Sequence, residues 1–346
     1  LTLAKALVNL KIDVDVYCKK KSQKINSSRT LAITKSNIEY FNKNIINISK
    51  LGWKSKKIEI YSDNIQNDKL FNFENNNEYI FSIFKNDKLY KFLERSLLNN
   101  FYFKKIYLKQ NFNFFNSYDI VINTDSSNSI TKKYFNKKIL KKYNSYAYTT
   151  IIEHEKLLND TAIQVFTKKG PLAFLPISNN LTSIVYSINC SKIINKKILN
   201  DLIKNYNFKY KIKKIQKPEC FELSSISLRS YYYGNILSFG DILHKIHPLA
   251  GQGFNMTIRD IKSLSNIIDQ KLYLGLPVDI SVAEEFQKSN KHLNYLYGKA
   301  IDGIYEFFKF DSQFNSLISK SLFKVLNKNL KFKKYSNILS DRGLNL

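Results

Sequence analysis

Hydrophobic and polar positions change their period several times along the 346-residue chain. Leu3, Ala6, Leu7 and Leu10 recur at helical spacing, and then Ile12, Val14 and Val16 alternate with Asp13 and Asp15, which predicts a helix followed by a strand. After a turn at Gly52, the run KKIEIYSD reads as another strand. Residues 86–99 place Leu89, Phe92, Leu93, Leu97 and Leu98 on one side of a helix, and FYFKKIYL and YDIVIN follow as strands. Between 145 and 230 the runs YAYTTII, TAIQVF, LTSIVYSIN and FELSSISL are separated by turns at Gly170-Pro171 and Asn179-Asn180, the pattern of an antiparallel sheet. Beyond Tyr233 the strand-then-helix rhythm returns. An α/β unit interrupted by a mostly antiparallel sheet domain accounts for these switches. The chain divides on this reading into a discontinuous unit (1–55, 86–135 and 231–299), a β-rich unit (56–85 and 136–230) and a helical C-terminal segment (300–346).

Composition narrows the class. Hydrophobic residues are 44% and aromatics 14% of the chain, enough for a sizeable core and incompatible with disorder. No apolar run approaches the length of a membrane span. Three cysteines, Cys18, Cys190 and Cys220, are too few and too scattered for a disulfide framework or a zinc ribbon, so a reducing cytoplasmic compartment is expected. The net charge of +27 would ordinarily suggest nucleic acid. However, only five of the 55 basic residues are arginine, and the lysines spread over the whole chain among Asn, Ile, Tyr and Phe. Nucleic-acid sites favour the bidentate, stacking guanidinium, so no nucleic-acid partner is expected.

The densest chemistry lies in NILSFGDILHKIHPLAGQGFNMTIRDIKSLSNII, residues 235–268. A strand (Ile236, Leu237, Phe239) ends at Gly240-Asp241. A loop with Gly251 and Gly253 follows, and then a helix marked by Phe254, Ile258, Ile261, Leu264 and Ile268. An acidic side chain there suits hydroxyls of a ribityl or ribose chain, while glycines before a helix N-terminus let amides approach an electron-rich ligand. His244 and His247 stand three apart, but no third ligand follows at metal spacing, so no metal site is expected. His154, between Glu153 and Glu155, reads as a sheet-edge histidine in an ion-pair setting.

The run resembles the second flavin-binding motif of class A flavoprotein monooxygenases, and especially of the ubiquinone-biosynthesis hydroxylases, whose pattern is GDAAHxxHPLAGQGLNLGLRD. Gly240, Asp241, His244, His247–Gly253, Asn255, Arg259 and Asp260 all match it. SSRTLAITKSNIEYF (27–41), IIEHEKLLNDTAIQVFTKKGPLAFLPISNNLTSIVYSI (151–188) and AIDGIYEFF (300–308) are similar to further segments of that family. The resemblance implies a Rossmann-like FAD-binding domain with an inserted, mostly antiparallel β-sheet substrate domain and a helical C-terminus. Leu1-Thr2-Leu3 aligns just after the family's GxGxxG, so its first strand and phosphate loop are expected to be missing. Cys18 stands where the family has an acidic residue, and the family's GADGxxS appears as TDSSNS, retaining Asp125 and Ser129.

The implied activity is hydroxylation of a polyprenylated phenol in ubiquinone synthesis. FAD is the cofactor, NAD(P)H a transient co-substrate, and O2 adds to the flavin as a C4a-hydroperoxide. By the same resemblance, Asp241, Gly240, Pro248, Gly251, Gln252, Gly253, Asn255, Arg29 and Asp125 are cofactor-binding, with His247 and Pro248 beside the flavin. No side chain is expected to act as nucleophile or base, because the cofactor carries the hard step. Peripheral contact with the inner face of a membrane is a further expectation, drawn from the basic, apolar run 320–335. So is membership of a quinone-biosynthesis protein complex. The alternative is a non-catalytic relative serving as a scaffold in that complex.

Overall fold

A computed structural model describes residues 1–18, 28–63, 69–74, 78–107, 117–312, 317–326, 338–339 and 341–343. The chain begins with α1 (Thr2–Asn9), β1 (Val14–Cys18), β2 (Thr30–Thr34) and α2 (Lys35–Tyr40), then β3 (Trp53–Ser55), β4 (Lys57–Tyr61), β5 (Lys69–Glu74) and β6 (Phe81–Lys85). Next come α3 (Asn86–Leu98), β7 (Phe103–Tyr107), β8 (Val121–Asn123) and α4 (Ser129–Tyr134). The middle holds β9 (Lys138–His154), β10 (Thr161–Thr167), β11 (Gly170–Pro176), β12 (Leu181–Asn189), α5 (Lys196–Asn205), β13 (Ile212–Ile215) and β14 (Glu219–Leu228). It closes with β15 (Tyr232–Tyr233), β16 (Ile236–Ser238), β17 (His244–Lys245), α6 (Gln252–Tyr273), α7 (Ile280–Asp311) and α8 (Leu317–Leu326).

The large sheet has nine strands among the described residues, in the order β17-β14-β9-β12-β11-β10-β4-β5, with β13 also on β9. It is antiparallel throughout except where β10 runs parallel to β4. Its alternating side chains explain the strand signal: Ile163, Val165, Leu172, Phe174, Ile184 and Tyr186 form one buried face, which α5 covers with Leu199 and Ile203. Gly170 makes the β10–β11 turn possible. Its φ is +127°, and a Cβ there would lie 2.2 Å from the Ser187 carbonyl oxygen.

Outside the large sheet the parallel strands fall into two separate pieces, β1 with β7 and β8 with β16, and no described strand hydrogen-bonds one to the other. Helices α1, α3 and α6 pack around them in one core with Phe41, Phe239, Leu264 and Phe286. Two structural features cross the boundaries expected from sequence. β6, grouped by sequence with the β-rich unit, pairs with β2 and β3. α7 runs unbroken across position 300, because Ala283, Phe286, Tyr297, Ile301, Tyr305 and Phe308 continue one buried face. The run 320–335 lies outside the described residues from 327 onward.

Candidate active site

β8 and β16 are parallel, so their carboxyl ends lie side by side, and each runs directly into one of the sequence-predicted acids. Beyond β8, Asp125 accepts hydrogen bonds from the backbone N–H (2.8 Å) and hydroxyl (2.6 Å) of Ser127, while Asn128 caps α4. Beyond β16, Gly240 takes φ +69° and Asp241 is exposed to solvent. In open α/β sheets, the crevice at the carboxyl ends of strands is where ligands bind.

The loop from Pro248 delivers the chain to α6. Gly251 is the N-cap residue, at φ +65°, and no side chain caps the helix. The first-turn amides of α6 thus meet no capping side chain, and the helix dipole adds partial positive charge there. A Cβ at Gly240 or Gly253 would meet nothing within 4 Å, whereas one at Gly251 would come within 3.1 Å of the Ala32 Cβ. Gly251 is therefore needed by the turn itself. Gly240 and Gly253 border open space.

The side chain of Asn255 is buried and hydrogen-bonded within the protein. The Oδ1 accepts from the Thr34 N–H (3.0 Å) and the Asn37 amide (2.9 Å), and the Nδ2 donates to the carbonyls of Ala32 (2.8 Å) and Gly251 (3.3 Å). β2 is an edge strand, and Ala32 and Thr34 present their free backbone groups on its outer side. The amide of Asn255 stands in for a neighbouring strand and fastens the glycine loop to β2. Gln252 is buried too, and accepts from the Tyr297 hydroxyl at 2.8 Å. Arg29 sits exposed at the start of β2, where its carbonyl accepts from the Asn86 N–H.

The two histidines of the motif have separate surroundings. His244 Nε2 pairs with Asp260 Oδ2 at 2.5 Å, both buried, and Asp260 Oδ1 accepts from Asn294 at 2.9 Å. This ties β17 to α6 and α7. His247 is fully buried, and neither ring nitrogen has a hydrogen-bond partner among the described residues. Its ring stacks on Tyr305 at 4.2 Å and meets Tyr143 edge-on at 5.0 Å. Burial, with a smaller contribution from the Lys141 charge, pushes its pKa down to about 3, so it is a neutral imidazole at physiological pH. Such a ring offers one donor and one acceptor.

The packing around His247 was not visible in the motif. β9 bulges between Lys142 and Tyr146, with Asn144 at φ +51°, and this turns the Tyr143 hydroxyl to donate to Asp302 of α7. Tyr305 donates to Asn189 at 2.6 Å. Burial and the Asp302 carboxylate both raise the Tyr143 pKa, keeping the phenol protonated. The segment AIDGIYEFF carried the signal, since Asp302 and Tyr305 lie three apart on one helix face. His154, read as a sheet-edge residue, is buried instead: Nδ1 lies 2.8 Å from the Glu155 carbonyl and Nε2 2.9 Å from the Thr182 hydroxyl.

No protein-family model matches the chain. Two relatives are the 3-demethoxyubiquinol 3-hydroxylase of Escherichia coli (26% identical over 153 residues, 42% of this chain and 39% of the relative) and the ubiquinone biosynthesis monooxygenase COQ6 of Dictyostelium discoideum (24% over 247 residues, 56% of this chain and 50% of the relative). The chain thus matches half or less of the length of these two. Among solved structures, p-nitrophenol 4-monooxygenase PnpA from Pseudomonas putida superposes with a TM-score of 0.79 at 12% identity, over 100% of this chain and 96% of that one. HpxO of Klebsiella pneumoniae, solved with FAD and uric acid, gives 0.76 at 12% identity, over 98% of this chain and 94% of that one. The fold is that of the FAD-dependent monooxygenases. Among its sequence relatives are ubiquinone-biosynthesis hydroxylases. This monooxygenase fold accounts for the large antiparallel sheet set beside α/β pieces, and for α6 beginning at the edge of both.

Proposed function

We propose that the chain acts as a FAD-dependent hydroxylase on a polyprenylated phenol in ubiquinone synthesis, with NAD(P)H as a transient co-substrate. The observation that carries the reading is the open turn at the carboxyl ends of β8 and β16: an exposed Asp241, unobstructed space at Gly240 and Gly253, and an α6 N-terminus without a side-chain cap. These features fit a flavin. Asp241 would hold the ribityl hydroxyls, and Pro248 would border the ring. The amides at Gly251–Gly253 would face its electron-rich edge, and Arg29 and Asp125 would flank the cofactor. When bound, FAD would supply two-electron reduction by NAD(P)H and activation of O2.

The protein's own contribution is electrostatic and steric. The first-turn amides of α6 favour negative charge at the N-terminus without any side-chain movement. His247, neutral and packed between the rings of Tyr143 and Tyr305, would offer a proton donor and an acceptor to a hydroxylated ring admitted beside it. The buried nitrogens of His247 support this assignment, because a histidine with neither nitrogen partnered within the protein is costly unless something else hydrogen-bonds it. A polyprenylated substrate partitions into bilayers, so the reading extends to a peripheral position on the inner membrane face and to partners in a quinone-biosynthesis complex.

The test is turnover. The purified chain, supplied with FAD, NAD(P)H and a short-chain prenyl phenol, is expected to release hydroxylated phenol, and His247→Phe is expected to lower kcat more than flavin content. A folded protein that remains colourless with saturating FAD supports the scaffold alternative.

A further inference from the structure

α7 is a 32-residue helix with two unlike sides. Ala283, Phe286, Tyr297, Ile301, Tyr305 and Phe308 face the interior. On another side Leu296, Ile304 and Phe310 are 54%, 44% and 53% exposed, and Ala300 and Gly303 are exposed between them. With Phe307, these positions follow helical spacing and make one stripe, roughly 21 Å long at 1.5 Å per residue. No charged side chain interrupts it. Lys288, Lys291, Lys299 and Lys309 line one border together with Glu306, whose carboxylate pairs with Lys141.

Past that border, a groove of about 500 Å³ separates α7 from the first residues of β9 and the end of β14. Arg229, Lys288, Lys291 and His292 line it, with Ile139 and Tyr295 as apolar walls and Glu284 as the acid in the lining. Among the described residues, Arg229, Lys288 and Lys291 take part in no ion pair. A cationic groove beside an uncharged apolar stripe fits an amphiphile that is anionic at one end.

We propose that this side of α7 docks on an anionic phospholipid bilayer, with a lipid phosphate in the groove and the stripe seated among the headgroups. Charge selects this occupant over a second copy of the chain, because two molecules of net charge +27 repel one another. The inference deepens the lipid-borne substrate reading above, but its test does not involve flavin or turnover.

The full chain is floated with phosphatidylcholine vesicles, with and without phosphatidylglycerol, at two salt concentrations. Flotation is expected only with phosphatidylglycerol and is weaker at the higher salt. The triple variant Arg229→Gln/Lys288→Gln/Lys291→Gln should partition on the order of a hundredfold less, from about fivefold per basic residue near an anionic surface. Leu296→Ser/Ile304→Ser/Phe310→Ser should also float less, whereas Lys196→Gln/Lys197→Gln/Lys213→Gln, on and beyond α5, should float like wild type. Circular dichroism confirms the fold of each variant, and flavin content measured alongside separates failure here from failure of the hydroxylase reading. Wild-type protein left at the bottom with phosphatidylglycerol would overturn the proposal. So would equal loss in the α5-side variant, or abolition of flotation by inorganic phosphate bound to the groove at comparable affinity. A stripe variant that converts a stable dimer to monomer, rather than changing flotation, would assign the face to a second copy.

Discussion

Asn255→Ala isolates the joint between the glycine loop and β2. In the folded chain, the Asn255 amide pairs with the Thr34 N–H and the Ala32 carbonyl, two backbone groups on the outer side of an edge strand. Truncation leaves both buried without these partners, at about 1–3 kcal/mol each. The lost bonds to Asn37 and Gly251 add less, because Asn37 keeps its bond to the Thr34 hydroxyl. The expected loss is therefore roughly 2–5 kcal/mol. Trp53, the single tryptophan, lies in β3 of the same three-stranded sheet, and its Nε1 donates to the Asn159 carbonyl at 2.6 Å. Its fluorescence during urea unfolding reports on this joint directly. Asn255→Asp keeps the acceptor but turns both donors into a buried charge facing two carbonyls, so it should be no milder. A stability for Asn255→Ala within about 0.5 kcal/mol of wild type would refute the view that this side chain holds the loop.

Other substitutions separate structure from ligand binding. Asp260→Ala leaves His244 and Asn294 without their buried partner and should destabilise by about 3–5 kcal/mol in urea titrations, whatever the flavin content. Gly251→Ala, at φ +65° against Ala32, should cost about 1–2 kcal/mol, while Gly253→Ala should be neutral or slightly stabilising because it adds a helix former in open space. The pH dependence of stability carries a His247 signature. Its native pKa of about 3 lies below the unfolded 6.5, so the unfolded state binds the extra proton between those values. Stability is then fully present above pH 6.5 and falls with a slope of up to about 1.4 kcal/mol per pH unit toward pH 3. His247→Phe should remove that slope, as read from urea midpoints across the range.

Much of the fold could be read from periodicity. The helix at 86–98, the alternation in β10 and β12, and the strand before Gly240 stand out because each buries one face or is buried on both. The motif 240–260 likewise announced a glycine turn feeding a helix. Two features stayed hidden because they depend on partners distant in sequence. The amide of Asn255 finds its role only when β2, more than 200 residues earlier, comes alongside. Tyr143 reaches Asp302 through a β9 bulge that no alternation pattern marks. The buried face of α7 also runs across the boundary placed at 300. Spacing shows which residue types lie near the turn; the packing shows which of them, like Asn255, are already fully engaged by the protein.

Titration with FAD tests the central claim most directly, with binding followed by quenching of flavin fluorescence in wild type, Asp241→Ala and Gly253→Val. Saturation at one flavin per chain, with affinity at least tenfold weaker in both variants and their urea stability close to wild type, is the predicted result. Wild-type protein that quenches no flavin, or variants that bind it as tightly as wild type, would contradict a flavin seat between Asp241 and the start of α6.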